Sequence, residues 1–127
     1  MIYGIGTDIV SVPRIERALS RYGDRFVKRI LGAAEAREWA AASQPARFLA
    51  KRFAVKEAYS KAFGTGIGAE LSWHDIAVSH DPRGKPCIVP SAALAGRLKQ
   101  LRVANAHVSL ADEVDTAIAF VIIEKEK

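Results

Sequence analysis

The chain opens on a period of two. Tyr3, Ile5 and Ile9 fall on one side and Gly4, Gly6 and Asp8 on the other, which predicts a strand over residues 2–10 whose glycine face stays open beside Asp8. From Ser11 the apolar positions stretch to helical spacing. Ile15, Ala18, Leu19 and Tyr22 share one side and Arg14, Arg17 and Arg21 the other, with Ser11 as cap, Pro13 in the first turn and Gly23 as the stop. A short amphipathic piece over residues 24–31 ends at Gly32, and the alanine-rich residues 33–42 are helical by propensity. Pro45 then introduces a long helix to Phe63, in which Phe48, Leu49, Phe53 and Ala58 suit burial and Gly64 and Gly66 end the run.

Beyond this helix the signals turn to strands. Residues 76–79 and 87–89 are β-prone on either side of a turn at 81–84, and Ser91 caps a helix reaching about residue 101. Residues 107–110 and 117–123 form a hairpin pattern around the polar Asp112, Glu113 and Asp115. This order predicts an α+β fold in one domain over residues 1–127, an antiparallel sheet packed by helices. The last run is apolar at nearly every position, so both its faces need cover, and in so small a chain that predicts a neighbouring subunit.

Composition narrows the setting. A chain of 127 residues with 50% apolar and 26% charged positions suits one compact soluble domain and excludes a disordered or membrane-spanning reading. Cys87 is the single cysteine, so neither a disulfide scaffold nor a zinc knuckle is available, and the expected setting is a reducing cytoplasm. The start of the chain has no basic region followed by an apolar signal core. A formal charge of +5 favours anionic partners: nucleic acid, phosphate-rich cofactors or an acidic protein. Eleven of the 19 basic residues fall in two clusters, one over Arg14 to Arg29 and one over Arg47 to Lys61.

The second cluster carries the candidate chemistry. Glu57, Ser60, Lys61 and Gly64 lie three or four residues apart on one helix face, where a carboxylate can take a metal while hydroxyl and ammonium groups take phosphate oxygens. An ordinary intrahelical ion pair between Glu57 and Lys61 explains two of these residues equally well. The run Gly64-Thr65-Gly66-Ile67-Gly68 can present amides to phosphate, or simply stop the helix. Asp8 is either a metal ligand or a turn residue before Ser11. His107, at a strand edge near Ser109 and Asp112, is either structural or a phosphate donor, and His74 and His80 read as surface or turn residues. Arg14, Arg17 and Arg21 form either a solvated face or a docking strip for an acidic helix. A basic nucleic-acid-binding module leaves Asp8, Glu57 and Lys61 without a purpose and lacks an aromatic-basic stacking motif, so no nucleic-acid partner is expected. Another magnesium-dependent phosphoryl transferase would share the same metal site.

Four segments in order, residues 4–10, 48–66, 84–86 and 107–113, closely resemble the holo-acyl-carrier-protein synthase family of short phosphopantetheinyl transferases. The resemblance implies transfer of 4′-phosphopantetheine from coenzyme A to a serine of acyl carrier protein, in support of fatty acid synthesis. It implies Mg2+ held by Asp8 and Glu57, with Ser60, Lys61 and the Gly64 loop on phosphate oxygens. It also implies Arg52 and His107 on the 3′-phosphate, Pro86 near the adenine, and carrier-protein docking by Arg14, Arg21 and Arg25. A homotrimer with active sites between subunits is implied as well. Many members have histidine where this chain has Asp112, which leaves Asp112, or Glu57 acting through a metal-bound water, as the candidate base for the incoming serine, with Lys61 offsetting charge on the leaving bisphosphate.

Overall fold

The computed structural model describes residues 1–127. Its elements are β1 (Ile2–Ser11), α1 (Val12–Tyr22), α2 (Asp24–Ile30), α3 (Ala36–Ala40), α4 (Pro45–Phe63), β2 (Ile76–His80), β3 (Pro86–Pro90), α5 (Ala92–Gln100), β4 (Val103–Asp112) and β5 (Thr116–Lys125). The α+β class holds, but the strands form two antiparallel sheets rather than one: β1-β5-β4 and a separate β2-β3 pair.

Local chemistry fixes most of the boundaries. The Ser11 hydroxyl accepts from the Arg14 amide at 3.3 Å to start α1, and Gly23, at φ 56°, ends it in a conformation that favours glycine. Pro45 opens α4 where no amide is needed, and Gly64 closes it at φ 100°. The alanine-rich stretch departs from its propensity. A 3-10 turn at Ala33–Glu35 precedes the five-residue α3, because Glu35 is drawn into the interior by charged groups of α4.

Helix α4 lies across the three-stranded sheet, and the glycines of β1 set how closely. A methyl group at Gly4 would overlap the Ala62 carbonyl, and one at Gly6 the Ala58 carbonyl. The glycine face is therefore filled by α4 and not open, a correction to the strand-based expectation. Leu49, Ala54, Val55 and Ala58 of α4 meet Ala117, Ala119, Val121 and Ile123 of β5 in a fully buried seam. Each large aliphatic side chain buried there contributes about 1.5–3 kcal/mol.

The other face of this sheet has nothing on it. Ile5 and Ile9 are 59% and 67% exposed, and Ile118 and Phe120 of β5 are 41% and 42% exposed. Register aligns them side by side, with Ile9 opposite Ile118 and Thr7 opposite Phe120.

Candidate active site

Asp8 sits on the α4 side of β1, opposite Ala119 of β5. Its Oδ1 accepts from Lys61 Nζ at 3.1 Å, and the same ammonium donates to the Thr7 carbonyl at 3.0 Å. Asp8 Oδ2 is buried and has no hydrogen-bond partner. Lys61 has therefore turned to the strand instead of closing an ion pair along its own helix.

Glu57 stands one helical turn before Lys61. Burial, and then the charge of Asp8, push the Glu57 carboxyl above its ordinary value, against the opposing influence of Lys61. Two carboxylates that feel one another, one with an orphaned buried oxygen, fit a divalent cation. No cluster of three metal-ligating side chains exists in the chain. A cation here would complete its shell with phosphate or solvent oxygen, the usual habit of magnesium.

Three residues expected on phosphate have partners within the chain. Ser60 is fully buried, and its hydroxyl donates to the Glu57 carbonyl at 2.7 Å, so the exposed stripe consists of Glu57, Lys61 and Gly64 without it. The amides of Gly64 and Gly66 both donate to the Ser60 carbonyl, at 3.0 and 3.2 Å. The Gly64 amide is therefore used in closing the helix, and within residues 64–68 the amides of Thr65 and Ile67 are left without a backbone acceptor. Arg52 is 3% exposed, with Nη1 on Glu35 Oε2 and the Val78 carbonyl and Nη2 on Glu38 Oε2, all at 2.8–2.9 Å. An arginine so engaged is held in place by the two carboxylates at the floor of a cleft.

That interior network was not anticipated. Lys56 is fully buried, and its ammonium donates to the Ile30 carbonyl and Glu35 Oε1 at 2.6 Å and to the Trp73 carbonyl at 3.1 Å. Burial lowers its pKa below the ordinary lysine value although Glu35 pulls the other way. The available signal was the spacing of Arg52 and Lys56 on the stripe that carries Leu49 and Tyr59, with Glu35 and Glu38 the only acids between residues 25 and 56. Removing one partner of such a buried pair costs about 3–5 kcal/mol.

A basic cleft of about 470 Å³ lies at the N-terminal end of α4, where Arg47, Phe48, Lys51 and Arg52 face Glu38 and His80. From the sequence, Arg47 and Lys51 have no role beyond the second basic cluster, and His80 reads as a surface or turn residue. Pro86 pairs with His80 across the β2–β3 ladder, which brings the turn at residues 84–86 beside this cleft. Lys51 precedes Glu57 by six residues, ~9 Å along the helix axis.

His107 and Asp112 do not join Asp8 and Glu57 within one chain. His107 aligns with Ile122 and so with Ile5, on the uncovered face of the sheet, where its Nε2 bonds to the Glu124 carboxylate. Asp112 lies at the far end of β4, held by Arg47 at 2.9 Å and by Lys51 at 3.5 Å. Burial would raise its pKa, but the Arg47 hydrogen bond and the charge of Lys51 outweigh that and hold the carboxyl below its ordinary value. Arg47 and Glu57 are ten residues apart on α4, ~15 Å. Asp112 is thus both remote from the Asp8 site of its own chain and a weakened base. Arg14, Arg21 and Arg25 are all exposed along α1 and the start of α2.

Comparison with known proteins bears on this arrangement. A family model described as the 4′-phosphopantetheinyl transferase superfamily matches residues 4–120. The chain is 55% identical to a holo-[acyl-carrier-protein] synthase of Aromatoleum aromaticum over 98% of its own length and 99% of the relative. Among solved structures it is similar to the holo-[acyl-carrier-protein] synthase of Neisseria meningitidis, at TM-score 0.95 and 46% identity over 98% of this chain and 100% of that one. The Bacillus anthracis holo-(acyl-carrier-protein) synthase in complex with CoA (3′,5′-ADP) gives TM-score 0.83 and 41% identity over 99% of both chains.

Proposed function

The chain belongs to the holo-acyl-carrier-protein synthase family of the 4′-phosphopantetheinyl transferase superfamily, and from that premise we propose that it transfers 4′-phosphopantetheine from coenzyme A to a serine of apo acyl carrier protein. The products are holo acyl carrier protein and adenosine 3′,5′-bisphosphate. The observation that carries this reading is the meeting of Asp8, Glu57 and Lys61, two carboxylates and an ammonium beside a glycine loop.

Asp8 and Glu57 would hold Mg2+, and the buried, unpartnered Oδ2 of Asp8 is the feature that suits it. When bound, the ion supplies positive charge to a pyrophosphate. Lys61, already beside Asp8, offsets the negative charge of the departing bisphosphate. The serine oxygen forms a bond to the phosphorus that carries pantetheine, and the bond from that phosphorus to its bridging oxygen breaks. The serine proton needs an acceptor. Of the two candidates Glu57, acting through solvent, is the better placed, because it stands beside Asp8 and Lys61 while the Asp112 carboxylate is held by Arg47 and Lys51.

The same reading gives the uncovered sheet face a use. A homotrimer buries Ile5, Ile9, Ile118 and Phe120 between copies, and His107, on that face, reaches a neighbour's site. The exposed Arg14, Arg21 and Arg25 receive the acidic carrier protein. The expected setting is cytoplasmic fatty acid synthesis; no helix is long and apolar enough to cross a membrane. The test is formation of holo carrier protein from the apo form, coenzyme A and Mg2+, compared between this chain and its Glu57→Gln variant.

A further inference from the structure

The loop after α4 owes little of its shape to its own sequence. Over residues 64–71, Gly64 and Gly66 have φ of 100° and 69°, and a Cβ placed on Gly64, Gly66 or Gly68 would meet nothing within 4 Å. Its backbone bonds are local: Gly64 and Gly66 to Ser60, and Gly68 to Leu71 at 2.8 Å. Glycine-rich backbone of this kind loses much conformational freedom when it is ordered.

One side chain from outside grips both ends. Arg97 of α5 lays its guanidinium over the ring of Phe63, 5.1 Å from the centroid, immediately before the loop. The same group donates through Nη1 to the Glu70 carbonyl near the loop's other end, and its Nη2 lies 3.7 Å from the Glu70 carboxylate. The planar fork of arginine can stack on a ring and donate in two directions at once, which a lysine ammonium cannot. Helix α5 is itself anchored apart from the loop. Ser91 caps it by accepting from the Leu94 amide at 3.1 Å and donates to Asp75 at 2.6 Å, while Leu94 is 2% exposed.

We infer that Arg97 is a positioning residue for coenzyme A binding: by clamping Phe63 to Glu70 it holds the loop so that the free Thr65 and Ile67 amides face the phosphates. Arg97 acts through the loop and does not touch the reacting atoms. This rests on the reading of the α4 site as a coenzyme A phosphate site.

The test is steady-state kinetics of the full chain with coenzyme A and carrier protein varied separately, together with amide hydrogen exchange over residues 64–71. Arg97→Ala is expected to raise KM for coenzyme A about tenfold, with kcat within about threefold and KM for carrier protein unchanged. Arg97→Lys is expected to fall between, and exchange over 64–71 to speed up while α5 stays protected. Should Arg97→Ala not fold, Arg97→Met, which keeps the apolar stem, gives the same comparison. An unchanged KM for coenzyme A overturns the inference, as does a loss confined to kcat with unaltered exchange. Lys61→Gln separates the two levels: if it impairs coenzyme A use while Arg97→Ala does not, only the clamp fails, and if both are silent the phosphate reading fails with it.

Discussion

The ammonium of Lys61 lies 3.1 Å from Asp8 Oδ1 while the second oxygen of Asp8 is buried without a partner. Lysine and cation therefore compete for one carboxylate. Removing the positive charge leaves Asp8 and Glu57 facing each other uncompensated, so the free protein with Lys61→Gln should bind Mn2+, used as a paramagnetic substitute, about tenfold more tightly, the equivalent of ~1.4 kcal/mol. Electron paramagnetic resonance titration without coenzyme A reads this directly. Unchanged or weaker binding contradicts a shared metal site at Asp8.

Asp112 provides a second separation. Because Arg47 and Lys51 occupy its carboxylate and lower its basicity, Asp112→Asn should keep kcat within about threefold of the parent. A fall of about a hundredfold or more, with the fold intact by circular dichroism, would make Asp112 the base after all.

The uncovered sheet face makes a prediction about assembly. Phe120→Glu places a charge among Ile5, Ile9 and Ile118, and burying it without a partner costs several kcal/mol. Sedimentation velocity should show the parent chain as a trimer at micromolar concentration and the variant as a monomer. Identical sedimentation of the two would remove this face from the interface.

Tyr59 marks the alkaline limit. Burial, with a smaller contribution from Tyr3, pushes its hydroxyl up to about 12 from a starting value of 10.0. The folded protein holds this proton more tightly than the unfolded chain. The resulting stability is complete below pH 10 and is lost as pH rises from there to about 12, at most about 2.7 kcal/mol. Melting temperature should therefore fall less steeply across that window in Tyr59→Phe than in the parent, and parallel curves would refute the assignment.

The elements were legible where a residue type has one physical use. Pro45 and Gly64 bracket α4 at the predicted bounds because one needs no amide and the other takes φ 100°. Ser11 and Ser91 act as the caps they were read to be. Facing was harder. Helical spacing puts Glu57, Ser60 and Lys61 close together, but it does not say that the alanines of α4 bury more than one side, taking Ser60, Arg52 and Lys56 inward. The glycines of β1 were informative and misread: their lack of side chains serves the approach of Ala58 and Ala62, not an open surface. His107 and Asp8 share a sheet but not a face, and only the register of β4 on β5 reveals it.

The central claim is transfer of phosphopantetheine by the Asp8–Glu57–Lys61 site, and intact-protein mass spectrometry tests it most directly. Apo acyl carrier protein incubated with coenzyme A, Mg2+ and this chain should gain the mass of one phosphopantetheine group, and the gain should vanish with chelator or in Glu57→Gln. An unmodified carrier protein after metal-replete incubation with the folded chain, or equal modification by Glu57→Gln, would contradict the account.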